Sequence, residues 1–131
     1  LLFANGVYLG AVAMDYVQDG QTVFLLGWLL PHGVIELPAI ILAGQAAFLL
    51  TGALLPRGRR APVGERLRAV FPDTLVIMGG VAVMLGWAGI VEAFFSQYHE
   101  PVVPYAVKIA FGLGELGGLV AFFRWAGRNG E

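Results

Sequence analysis

An all-α bundle of membrane-spanning helices is the fold this sequence predicts, on three observations. Hydrophobic residues make up 58% of the 131 residues and charged residues only 13%. The apolar residues come in long blocks, near 1–14, 22–55, 73–97 and 103–126, rather than in amphipathic stripes. A helix rises about 1.5 Å per residue, so roughly 20 such residues cross a hydrocarbon core about 30 Å thick. Finally, arginines gather in the breaks between blocks, where a multi-pass chain needs them. The reading is a single transmembrane helical domain over 1–131, with about four transmembrane segments and a broken second one.

The first block is the short one. It opens on Leu1-Leu2-Phe3 with no polar lead-in, which predicts a helix begun upstream and the chain as a fragment lacking that region. A signal peptide fits poorly, because no basic n-region or cleavage site is present. The second block has the opposite problem: it is too long for one ordinary span and contains Pro31 and Pro38. Proline removes a backbone donor and clashes with the preceding turn. The expectation is a short helix near 23–30, a break at Pro31-His32-Gly33, and a restart as a full span over 34–55.

Charge sets the topology. Between the second and third blocks lies PRGRRAPVGERLRAVF, with Arg57, Arg59, Arg60, Arg66 and Arg68 against Glu65 alone. Short loops rich in Arg and Lys stay cytoplasmic, and such clusters are drawn to anionic lipid. Arg124 and Arg128 close the last block, whereas the other two connections carry Asp15, Asp19, His99 and Glu100 without Lys or Arg. This is a plasma-membrane, multi-pass arrangement with the 56–70 loop and the C-terminus in the cytoplasm. Five arginines between two spans point to lipid, not to nucleic acid. The absence of cysteine excludes disulfides, thiolate metal sites and a cysteine nucleophile together.

Small residues recur at helix-packing spacing: Gly6 with Gly10, Gly114 with Gly118, Ala43 with Ala47, and Ala82 with Gly86. Such faces let backbones approach closely in lipid, where packing replaces the hydrophobic effect. Packing within the chain is the favoured use, and a homo-oligomer the alternative.

Ionisable residues inside hydrocarbon are functional-site candidates by default. In PHGVIELPAIILAGQAAF, residues 31–48, His32 and Glu36 stand one helical turn apart. With the second span entering from outside, His32 lies at its mouth and Glu36 about 5 Å further in. Glu92 near the end of the third block and Lys108 near the start of the fourth fall at similar depth. Glu115 follows two turns below Lys108 on nearly the same face, close to the midplane. Gln45 needs a bond across a helix interface. His99 and Glu100 belong to a solvated loop.

Three readings compete for this cluster. Charge pairing comes first: Lys108 would neutralise Glu36, Glu92 or Glu115 and fix helix register. Metal binding by His32, Glu36 and Glu92 comes second, with a divalent ion such as zinc, because an i, i+4 pair shares a face as in H-E-x-x-H sites. Proton or ion passage along Glu36, Glu92 and Glu115 is third. No nucleophile elbow, phosphate loop or spaced acid and base pair occurs, so no catalytic residue is marked and the balance leans away from an enzyme.

The same residues carry a family resemblance. The Phe3-to-Gly10 opening, then PHGVIELPAIILAGQAAF, then GWAGIVEAFFSQ at 86–97 resemble the stage II sporulation protein M family of bacterial and archaeal membrane proteins. The most specific part is His32-Gly33 with Glu36-Leu37-Pro38-Ala39, followed by Glu92-Ala93-Phe94. The resemblance implies a polytopic membrane protein that extends upstream of Leu1. It also implies a scaffold or assembly partner for cell-envelope remodelling, since the family's namesake works with a peptidoglycan hydrolase pair during engulfment. Its partners would be the lipid bilayer, other envelope proteins and further copies of itself. A transporter-like or channel-like subunit is the alternative, and an intramembrane metalloenzyme the third.

The arginine distribution makes a direct prediction. In a chain without native cysteine, a cysteine at Gly58 resists a membrane-impermeant thiol label in intact cells, and one at Gln97 reacts. Reversed labelling would contradict the assigned topology.

Overall fold

The structure, a computed structural model, describes residues 2–55, 61–98 and 101–128. Arg57, Arg59, Arg60, His99 and Glu100 lie outside the described residues. Helix α1 covers Leu2–Gln18, α2 Thr22–Leu54 and α3 Val63–Val91, which continues into a π-helix over Glu92–Ser96; α4 covers Tyr105–Arg128. Among the described residues, three helical stretches are long and apolar enough to cross a membrane: Thr22–Leu54, Val63–Ser96 and Tyr105–Ala126. The 17 residues of α1 rise only about 26 Å, short of a hydrocarbon core. Among the described residues the fold is therefore an all-α polytopic helix bundle with three candidate membrane spans, where the sequence pointed to about four.

The expected break in the second block does not occur. Helix α2 runs uninterrupted through Pro31 and Pro38. The physical reason is the solvent: each proline forfeits one backbone hydrogen bond, costing about 3 kcal/mol. Unwinding residues 30–33 would instead leave several backbone groups without water, each costing several kcal/mol in hydrocarbon. Pro31 is also among the most deeply buried side chains, so packing further holds the helix through it.

Helix α2 is the hub against which α1, α3 and α4 pack. Its inward seam repeats every seven residues: Leu25, His32, Ala39, Ala46 and Ala53 are all buried. Helix α3 answers with Thr74, Val81 and Ala88, also buried and seven apart. A seven-residue repeat keeps two helices in register through a left-handed supercoil. His32 meets Ser96, and stepping seven residues down α2 and up the sequence of α3 from that contact brings the alanines level with Ala88, Val81 and Thr74 to within one residue. The two helices are antiparallel. The tight seam follows from alanine, which leaves room for the facing backbone.

Helix α4 runs parallel to α2. Phe24 and Tyr105 meet edge to face with centroids 5.9 Å apart, and further along both helices Leu30 lies against Gly112. A Cβ on Gly112 would sit 2.9 Å from the Leu30 carbonyl carbon, and one on Gly27 would sit 2.8 Å from Tyr105 Cδ1. These two glycines make the close approaches. Gly6, Gly10, Gly114 and Gly118 have nothing within 4 Å of an added Cβ among the described residues, so the GxxxG pairs are not where this chain packs on itself. Ala47, Ala82 and Gly86 are exposed as well. Burial falls instead on alanines spaced by seven, a pattern that a search for spacing four misses.

Gly112 therefore supplies a test of the α2–α4 contact. Gly112→Ala forces its methyl group onto the Leu30 backbone and lowers unfolding stability in micelles by about 1–3 kcal/mol, the usual cost of overpacking. Gly118→Ala, entering open space, leaves stability unchanged or slightly raised. Equal effects at both positions would show that α4 does not approach α2 at Gly112.

Candidate functional site

Where α4 begins and α3 ends, a third of the way along α2, three helices contribute polar groups to one buried contact. Helix C-termini leave their last carbonyls without intrahelical partners and carry the negative end of the macrodipole. The Ser96 carbonyl is such a group, at the end of the π-helix. Lys108, 0% exposed, donates from Nζ to that carbonyl over 2.7 Å. Its partner is a backbone oxygen, where the sequence pointed to Glu36, Glu92 or Glu115.

His32 completes the contact from α2. It is 6% exposed, its Nδ1 lies 3.4 Å from Ser96 Oγ, and Trp28 stands edge-on to its ring with centroids 6.0 Å apart. Ser96 itself is 0% exposed. It thus touches α2 through its hydroxyl and α4 through its carbonyl. The π-helix matters here because one wide turn rotates the end of the helix relative to an α-helical continuation and changes where its last groups point. Phe95, in the same turn, packs on Phe111 of α4 with ring centroids 4.9 Å apart.

A second polar contact lies deeper. Trp87 Nε1 donates to Glu115 Oε1 over 2.6 Å, joining α3 to α4. The other carboxyl oxygen, Oε2, is buried and has no hydrogen-bond partner among the described residues. At the opposite end of the bundle, Arg66 Nη1 donates to the Leu55 carbonyl over 2.6 Å, capping the C-terminus of α2 from α3. Arg68 is exposed.

The remaining candidates are not gathered. Glu36 is half-buried, Glu92 is exposed and Gln45 is exposed. Gln45 therefore makes no buried interface among the described residues. No group of three or more His, Asp or Glu among the described residues is placed to hold a metal ion, so His32, Glu36 and Glu92 do not form the expected three-ligand set. In its place stand two residues the sequence reading passed over, Ser96 and Trp87. Both had a usable signal. A lysine one turn into α4, just after a short link, must find an acceptor near the end of α3. Counting down from that level, nine residues reach Trp87 and seven reach Glu115, and a tryptophan N–H buried in lipid needs such an acceptor.

The stage II sporulation protein M family model matches residues 1–97. The chain belongs to this family. No curated protein and no solved structure matches it. In this member of the stage II sporulation protein M family, the matched region holds α1, α2, α3 and the π-helix, and with them His32, Trp87 and Ser96. Lys108 and Glu115, which bind those α3 groups, lie on α4 beyond the match.

If the backbone carbonyl is the acceptor that matters, the serine side chain is secondary. Lys108→Ala, which removes the amine and opens a cavity, costs about 3 kcal/mol in reversible unfolding. Ser96→Ala, which keeps the carbonyl and loses only a long contact, costs less than about 1 kcal/mol. A Ser96→Ala loss as large as that of Lys108→Ala would show that the hydroxyl, and not the carbonyl, holds the three helices.

Proposed function

We propose that this chain is a membrane scaffold, an assembly partner for complexes that remodel the cell envelope. The observation that carries this reading is the closure of the buried polar contact at Ser96. Lys108 is completely buried on a backbone carbonyl, and His32 is buried against the same residue. Groups used in this way fix helix positions. They are not presented to a substrate.

Family membership over 1–97 supports the same role. So does the lipid-facing side of α3, where Gly79, Ala82, Gly86 and Gly89 are exposed at spacings of three and four, a surface on which a partner helix can pack closely. In this reading the 56–70 loop and the C-terminus face the cytoplasm, and the end carrying His32, Ser96 and Lys108 faces outward. One observation favours a second reading, transport: Glu115 Oε2, buried without a hydrogen-bond partner among the described residues, is the kind of intramembrane carboxyl oxygen that lines proton pathways.

The two readings separate in purified protein and native membranes. As a scaffold, the protein in vesicles passes protons and small cations no faster than protein-free vesicles. Gly86→Leu then abolishes its association with envelope hydrolases in native membranes and leaves thermal unfolding unchanged. A flux that Glu115→Gln abolishes would replace the scaffold reading with transport.

A further inference from the structure

Helix α2 has two working faces. The inward one carries the alanine seam against α3. On the other, Ile40, Ile41, Gly44, Gln45 and Phe48 line a shallow groove of about 470 Å³. Phe48 is 80% and Ile41 72% exposed, and nothing approaches within 4 Å of a Cβ built on Gly44. Gln45 is the groove's polar side chain.

Its depth makes that polarity expensive. Gln45 follows His32 by 13 residues, about 20 Å along the axis, and precedes the end of α2 at Leu54 by nine. It therefore sits inside hydrocarbon, where an amide without a hydrogen-bond partner is costly. Apolar lipid chains offer it none. A partner helix does.

We propose that this groove is a homodimer interface, in which α2 packs in parallel against α2 of a second copy and the two Gln45 carboxamides exchange hydrogen bonds. A carboxamide carries both a donor and an acceptor, so a two-fold axis beside Gln45 brings each amide the complement it requires. Copies inserted with one topology are related by an axis along the membrane normal, which makes the helices parallel and places position 45 opposite position 45. The groove has the relief for such a contact. Phe48 projects, and Gly44, one turn earlier, leaves a hollow. All five lining residues come from one helix, so one patch meets its own copy without help from another element. The inference is independent of the scaffold reading, because a dimer is detected in purified protein whatever its cellular role.

The test uses the absence of native cysteine. Single cysteines at Ile41, at Phe48 and, as a control facing elsewhere, at Val83 of α3 are oxidised in bilayers at low protein density. Dimerisation is measured in parallel by energy transfer between labelled copies as lipid is added. Ile41→Cys and Phe48→Cys should form covalent dimers and Val83→Cys should not. Gln45→Leu, which is isosteric enough to leave the fold intact, should weaken dimerisation about threefold to tenfold, the range set by interhelical hydrogen bonds in membranes, and Gln45→Asn should restore part of it. Energy transfer that vanishes on dilution for the unsubstituted protein, cross-links confined to one chain or reaching only a different protein, or a Gln45→Leu variant as dimeric as the parent would each overturn the proposal.

Discussion

A single buried amine organises this bundle. Lys108 must leave water when α4 inserts, and taking an ammonium into hydrocarbon costs several kcal/mol unless hydrogen bonds and opposite charge compensate. The compensation comes from the end of a helix. At Ser96 the last carbonyls of α3 and its π-helix lack intrahelical partners and carry the negative end of the macrodipole, and the amine bonds one of them directly. Two liabilities, an unpaired carbonyl and a buried charge, cancel in one contact. That contact fixes the axial position of α4 against α3, and His32 on the Ser96 hydroxyl fixes α2 against both.

The rest of the packing is consistent with this constraint. Once His32 and Ser96 are level, the seven-residue repeats of α2 and α3 coincide along their length, with Ala39, Ala46 and Ala53 buried on one side and Thr74, Val81 and Ala88 on the other. Alanine in the seam lets α2 and α3 close together. Helix α4 closes on α2 at its two glycine contacts, Gly27 and Gly112. Its seam then carries Lys108 and, two turns on, Glu115, each to a group on α3. Polar ties at two depths restrict both sliding and rotation of α4 against α3.

Much of this was legible in the residues, and the rest was hidden for three physical reasons. Apolar blocks and interrupting arginines were enough to mark membrane spans. Counting residues from the turns also put His32 and Lys108 at one level, because helical rise converts sequence position to depth. What counting could not supply was orientation about each helix axis. Glu92 shares the right depth but faces outward, and Gln45 faces away from the other helices. Side-chain chemistry pairs Lys108 with carboxylates, whereas the acceptor is a carbonyl that any residue at position 96 would supply. The prolines misled because their soluble-protein effect, helix breakage, is opposed in lipid by the cost of exposing backbone, and α2 continues through both.

Lys108 is held by the Ser96 carbonyl and not by a carboxylate. Magic-angle-spinning NMR of the full chain in lipid bilayers, with nitrogen-15 in lysine side chains and carbon-13 in serine carbonyls and glutamate carboxyls, reads this directly, because this is the chain's one lysine. An N···O distance of 2.7 Å gives a strong through-space correlation from Lys108 Nζ to the Ser96 carbonyl carbon. A correlation to a glutamate carboxyl carbon in its place would contradict this pairing.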